Sequence, residues 1–173
     1  MVIFVLRRHA GPVGLAALLV ILFLGYGCSL KNKKAEPVPT ARDLYTEGTK
    51  LVGKKKYEEA REFFNKAKGM GTDPEVELLA QIAVADSYFE EKEYAAARGL
   101  YEELYKLHAG GKVADYLLYR VAECSFWQID TIDRDTTSAK AGLKVFNQLI
   151  AEYPESEYVA PSRLRIKEIT TFL

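Results

Sequence analysis

Residues 57–67 read YEEAREFFNKA, and the chain writes this pattern three times. Tyr57, Ala60, Phe63, Phe64 and Ala67 stand at offsets 0, 3, 6, 7 and 10, one apolar stripe of an amphipathic helix. Tyr94, Ala97, Leu100, Tyr101 and Leu104 repeat those offsets, as do Ala139, Gly142, Val145, Phe146 and Leu149. The stripes open at 57, 94 and 139, so they are 37 and then 45 residues apart. The second stripe position is small each time (Ala60, Ala97, Gly142), where a thin side chain lets a neighbouring helix come close. A striped helix recurring at roughly 34 residues or a little more marks a helical solenoid. The fold expected is all-α.

Working outward, each stripe is preceded by a second helical pattern. Residues 41–53 carry Leu44, Gly48, Leu51 and Val52 inward, and 75–91 carry Leu78, Ile82, Ala85 and Tyr88. Residues 113–128 are the most aromatic, with Tyr116, Leu117, Tyr119, Val121, Phe126 and Trp127. Gly69, Gly71 and Pro74 separate the first pair from the second, with Thr72 or Asp73 as N-cap, and Gly110–Gly111 separate the second from the third. Thr136 or Thr137 is expected to cap the helix of the third stripe. Ser156, after Tyr153 and Pro154, is expected to cap a last helix carrying Leu164, Ile166 and Ile169. The loop 129–137 is eight residues longer than the earlier turns, which accounts for the spacing of 45. The expected solenoid is three helix pairs, near 42–70, 75–108 and 112–153, plus the start of a fourth at 156–173. The last helix shows an apolar side with no partner helix after it; the expectation is a shortened form, with cover by another protein as the alternative.

Residues 1–27 are of a different composition. Arg7, Arg8 and His9 precede an apolar run of twelve at 13–24, the layout of a secretory signal. The run leads into Gly25-Tyr26-Gly27-Cys28, which resembles a bacterial lipobox with Cys28 as the lipidated residue. Gly25 stands where that pattern prefers leucine. A retained anchor is the alternative, since 10–27 approaches the roughly 18 apolar residues that span a bilayer. Residues 28–41, with three lysines and Pro37 and Pro39, read as an extended spacer. With Cys28 acylated, Cys124 is left as a small buried hydrophobe with no disulfide partner.

The 24 basic and 24 acidic residues cancel, so no long-range field draws nucleic acid. Beyond the leader there is one histidine, His108, at a helix end, and no phosphate loop, HExxH or CxxC. Asp130, Asp133 and Asp135 lack the alternating spacing, glycine and terminal glutamate of an EF-hand. Neither catalysis nor a cofactor is expected, apart from covalent lipid on Cys28.

Gly48 and Ala85, then Ala60, Ala97 and Gly142, then Phe64, Tyr101 and Phe146, with Pro154 closing, resemble the tetratricopeptide-repeat family, whose fold is a right-handed solenoid. A lipobox, a proline spacer, repeats, the Asp133-Arg134-Asp135 loop and Tyr153-Pro154-Glu155-Ser156-Glu157-Tyr158 together resemble the BamD-like lipoproteins of the outer-membrane β-barrel assembly machinery. That resemblance implies a lipid-anchored outer-membrane protein facing the periplasm. Its implied partners are a POTRA-containing barrel subunit, other assembly lipoproteins and unfolded barrel precursors. The family's inner-groove positions fall here on Arg42, Tyr45, Thr49, Ile82, Asp86, Phe89, Tyr116, Tyr119, Glu123, Phe126 and Trp127. A scaffold of the Tol-Pal or cell-envelope type and an adaptor of a cell-wall enzyme are the alternatives.

Overall fold

The computed structural model describes residues 38–129, 136–171 and 173. Cys28, the leader and the Asp130, Asp133, Arg134 and Asp135 segment lie outside them. The described residues form seven helices: α1 Ala41–Gly53, α2 Tyr57–Gly69, α3 Pro74–Glu90, α4 Tyr94–His108, α5 Ala114–Trp127, α6 Thr137–Glu152 and α7 Val159–Thr170. Each helix packs on the next in chain order. The first helices of pairs also touch directly, α1 with α3 and α5 with α7. The result is a tetratricopeptide-like solenoid with no strand among the described residues.

The layers are built from one small and one large residue. An added Cβ on Gly48 would lie 2.6 Å from Cε1 of Phe64, a ring that is itself 1% exposed. One repeat on, Ala85 and Tyr101 are both fully buried in one cluster, and in the third Ala122 and Phe146 are. Burying an aromatic of this size contributes roughly 2–3 kcal/mol. The three rings therefore pin the three pairs. Gly142 serves the other side of the third layer, where a Cβ would meet Ile169 of α7 at 3.3 Å. The central helix α3 buries Val76, Ala80, Ile82, Ala85 and Ser87, more than one stripe, because it lies between neighbours.

The repeat extends to backbone conformation. Lys55 (φ 58°) and Lys92 (φ 65°) are left-handed residues 37 apart. Around each, the same two bonds close the turn: Lys56 N to Leu51 O at 3.0 Å and Lys55 N to Val52 O at 2.8 Å, then Glu93 N to Tyr88 O and Lys92 N to Phe89 O, both 2.9 Å. These are Schellman closures that satisfy the last carbonyls of α1 and α3. Lysine tolerates this conformation at a modest cost, and glycine would adopt it more readily.

The starts of the helices are more varied. Asp73 caps α3, accepting from the Glu75 and Val76 N–H groups at 3.2 Å with Pro74 at the first position, and the Val76 bond holds its carboxyl below the usual range. Thr40 and Asp43 form a capping box on α1 that was not anticipated. Two expected caps are corrected. Thr136 precedes α6 without a side-chain capping bond. Ser156 does not cap α7, which begins at Val159; its hydroxyl donates across the repeat to Asp115 Oδ2 at 2.7 Å and accepts from Tyr158 N at 3.2 Å. Cys124 is fully buried as expected, and burial pushes its thiol up to about 12.

Candidate functional site

The first helices α1, α3 and α5 carry the expected groove positions, and the structure sorts them into three groups. Tyr45, Thr49 and Asp86 come together with Val52, Phe64, Ala83, Ser87 and Glu90 around a cleft of about 160 Å³ between α1 and α3. Tyr45 leans on Phe64 with ring centroids 5.6 Å apart, and the Thr49 hydroxyl donates to the Tyr45 carbonyl at 3.0 Å. Arg42, at the start of α1, instead pairs with the capping Asp73 at 3.2 Å.

A second group is a polar knot between α3, α4 and α5. Asp86 accepts from the hydroxyls of Tyr101 and Tyr116, the latter at 2.6 Å. Arg120 donates through Nε to Tyr101 Oη at 3.1 Å, stands 3.5 Å from Asp86, and lies over the Phe89 ring at 3.7 Å. Burial first, and the Asp86 charge second, push the Tyr101 and Tyr116 phenols well above their ordinary range. Among the described residues no buried side-chain nitrogen or oxygen lacks a hydrogen-bond partner. Tyr116 and Asp86 thus hold adjacent repeats together while showing only part of their surface.

The third group is a run of rings. Phe89 meets Tyr94 edge-on at 5.2 Å, Tyr94 stacks near-parallel on Trp127 at 6.2 Å, and Trp127 meets Phe126 edge-on at 5.4 Å. Trp127 is 48% exposed, whereas its three companions are half-buried. Tyr119 stacks on Tyr158 at 4.8 Å and tilts against Phe146 at 6.2 Å. Two expected wall residues are turned inward and offer a ligand almost nothing. Ile82 is 7% exposed in the core of the second pair, and Glu123 is 5% exposed and paired with Arg165 at 2.8 Å.

Four further residues belong to this face that the groove offsets do not predict: Tyr94, Arg120, Tyr158 and Arg165. Tyr94 opens its helix's packing stripe, and it does pack, but against rings of the first helices as well. Arg120 carries a weak signal, one turn after Tyr116 on a helix otherwise short of charge. Tyr158 and Arg165 come from the fourth unit, and no local pattern places them beside α5.

A stacked-pair solenoid with an aromatic side defines the class: a tetratricopeptide-like helical repeat protein. The chain belongs to the YfiO family of outer membrane lipoproteins, whose pattern matches residues 38–173. It is similar to the "Outer membrane protein assembly factor BamD" of Caulobacter vibrioides, with 27% identity over 157 residues, 89% of this chain and 51% of that one. It is likewise similar to the protein of that name in Rickettsia prowazekii, with 28% identity over 159 residues, 92% of this chain and 63% of that one. The chain therefore spans between about half and just under two thirds of the length of these relatives. Its family places the protein at the outer membrane. No helix among the described residues is long and apolar enough to cross a membrane.

Proposed function

We propose that this protein is a non-catalytic scaffold lipoprotein of outer-membrane β-barrel assembly, tethered through Cys28 and capturing extended segments of unfolded barrel precursors on its first-helix side. Its other partners are a POTRA-containing barrel subunit and companion lipoproteins, and nucleic acid is not among them. Family membership and the names of both relatives support the assembly role. The observation that carries the capture reading is the ring run, which leaves the Trp127 indole half in solvent. Rigid aromatic side chains grip a passing strand through area and stacking at low entropic cost. A barrel strand alternates apolar and polar residues and so offers one apolar edge to such a face.

The test uses the full chain in detergent and a synthetic peptide with alternating apolar residues and a C-terminal aromatic. Trp127→Ala and Tyr119→Ala should each weaken binding about tenfold, the size of a loss of roughly 1.4 kcal/mol. Unchanged affinity in folded variants would remove these side chains from the site. A pull-down from detergent extract that lacks any POTRA-containing protein would count against the assembly role. For the tether, Cys28→Ala should abolish palmitate incorporation and leader processing. Continued processing would mean an ordinary signal peptide.

A further inference from the structure

We infer that Arg165 is a positioning residue for the Trp127 indole, acting through Glu123, and that it turns an exposed tryptophan into a fixed wall. The inference rests on the first-helix side being the binding surface. Glu123 precedes Trp127 by one helical turn on α5. Its Oε2 accepts from the indole Nε1–H at 3.3 Å and from Arg165 Nη2 at 3.4 Å, and its Oε1 accepts from Arg165 Nε at 2.8 Å. One carboxylate thus joins the indole to a guanidinium that arrives on α7, 42 residues after it. The Arg165 guanidinium carbon also lies over the rings of Phe126 at 4.2 Å and Trp127 at 5.4 Å. Arg165 is held in turn by Glu168 at 2.9 Å. With Tyr94 stacked on it and Phe126 against its edge, the indole is restrained by two rings, a hydrogen bond and a cation while about half of it stays in solvent.

Each part of the clasp has a physical reason. Glu123 is 5% exposed, so its charge needs a partner, and the planar fork of arginine satisfies both carboxylate oxygens. An exposed aromatic without such restraints changes rotamer on the picosecond-to-nanosecond scale, and a ligand must then immobilise it. A ring already fixed avoids that loss on binding. The fourth unit therefore shapes the face of the third, through Arg165 of α7.

Trp127 is the single tryptophan of the 173 residues, so emission from the full chain in detergent reports on this side chain alone when excited at the red edge, where the 11 tyrosines do not absorb. Arg165→Ala should raise the acrylamide quenching constant about threefold and increase the sub-nanosecond loss of anisotropy, as expected when a stacked cation and its carboxylate partner let go of a ring. Arg165→Lys keeps the charge and loses the fork, and should recover about half of the change. Glu123→Gln should resemble Arg165→Ala. Ile169→Val loosens the buried seat of α7 while keeping Glu123, Arg165 and Trp127, and should leave quenching close to the wild-type value. Quenching unchanged in Arg165→Ala would overturn the inference, and so would an equal rise in Ile169→Val, because loosening of α7 would then be the cause. Peptide titration separates this from the surface reading. Arg165→Ala should weaken the peptide by part of the Trp127→Ala loss, with no further loss when it is added to Trp127→Ala. Mobile indole combined with wild-type peptide affinity in both single variants would sink the surface reading instead.

Discussion

Gly48→Val should destabilise the protein by about 3 kcal/mol or more, and Gly48→Ala by about 1–2 kcal/mol, because overfilled cores shift backbone and rotamers. The sign for alanine is informative. In an exposed helix interior, replacing glycine by alanine gains about 1 kcal/mol from propensity alone. Here the first added carbon would stand 2.6 Å from Cε1 and 2.8 Å from Cδ1 of Phe64. Phe64 cannot swing away, since it is 1% exposed and also braces Tyr45. Contact energy lost at that ring exceeds the propensity gained. Urea midpoints of the two variants measure this, and a neutral or stabilising Gly48→Ala would mean that α1 and α2 do not approach as closely as described. Coupling supplies the control. Phe64→Leu creates room at some cost of its own, so the double variant Gly48→Ala/Phe64→Leu should lose less than the sum of the singles, the non-additivity expected of touching residues.

The same pair explains why the fold was legible. Gly48 with Phe64 and Ala85 with Tyr101 lie sixteen residues apart within one pair, and each pair recurs after 37 residues. Size alternation along a helical period is therefore written locally, and it specifies which helix meets which. The third member, Ala122, breaks that spacing because the longer loop before α6 puts Phe146 24 residues after it. The face was less legible for a related reason. Residues at groove offsets point toward neighbouring first helices as well as toward solvent. Ile82 shares its repeat position with the half-buried Tyr45 and Tyr119, and Glu123 shares its own with the exposed Thr49, but neighbours cover them. The ties that decide this, Ser156 to Asp115 and Arg165 to Glu123, span 41 and 42 residues and have no periodic signature. Ser156 illustrates the point. Its place after Tyr-Pro suggests a cap, yet the helix begins only at Val159, so its oxygen accepts from Tyr158 N in the turn before the helix while its hydroxyl ties that turn to Asp115 of another pair.

The largest loss should come from Tyr101→Ala, about 4–5 kcal/mol from the cavity and the broken knot together. Domains of this size are stable by only about 5–15 kcal/mol, so the variant should be partly unfolded at room temperature. Tyr101 is the largest fully buried side chain among the described residues, and its hydroxyl sits between Asp86 and Arg120. Tyr101→Phe separates the two contributions. The ring stays and Asp86 keeps Tyr116 and Arg120, so the cost should fall to about 1–2 kcal/mol. The pH dependence then identifies the phenol. Its folded-state pKa is raised, chiefly by burial, above an unfolded value near 10. Its contribution is therefore fully present below pH ~10 and is lost as pH rises beyond it, because the unfolded phenol ionises while the folded one does not. Tyr94, Tyr105, Tyr116, Tyr119 and Tyr158 shift in the same direction, so the wild-type alkaline limb falls by several protons' worth. Removing one hydroxyl should make that limb shallower by about 1.4 kcal/mol per pH unit, the equivalent of one proton. Urea midpoints from pH 8 to 11 read this directly. Parallel alkaline limbs in the wild type and Tyr101→Phe would show that the phenol ionises as freely in the folded chain as in the unfolded one, and the knot of Asp86, Tyr101 and Arg120 would have to be abandoned as a structural tie.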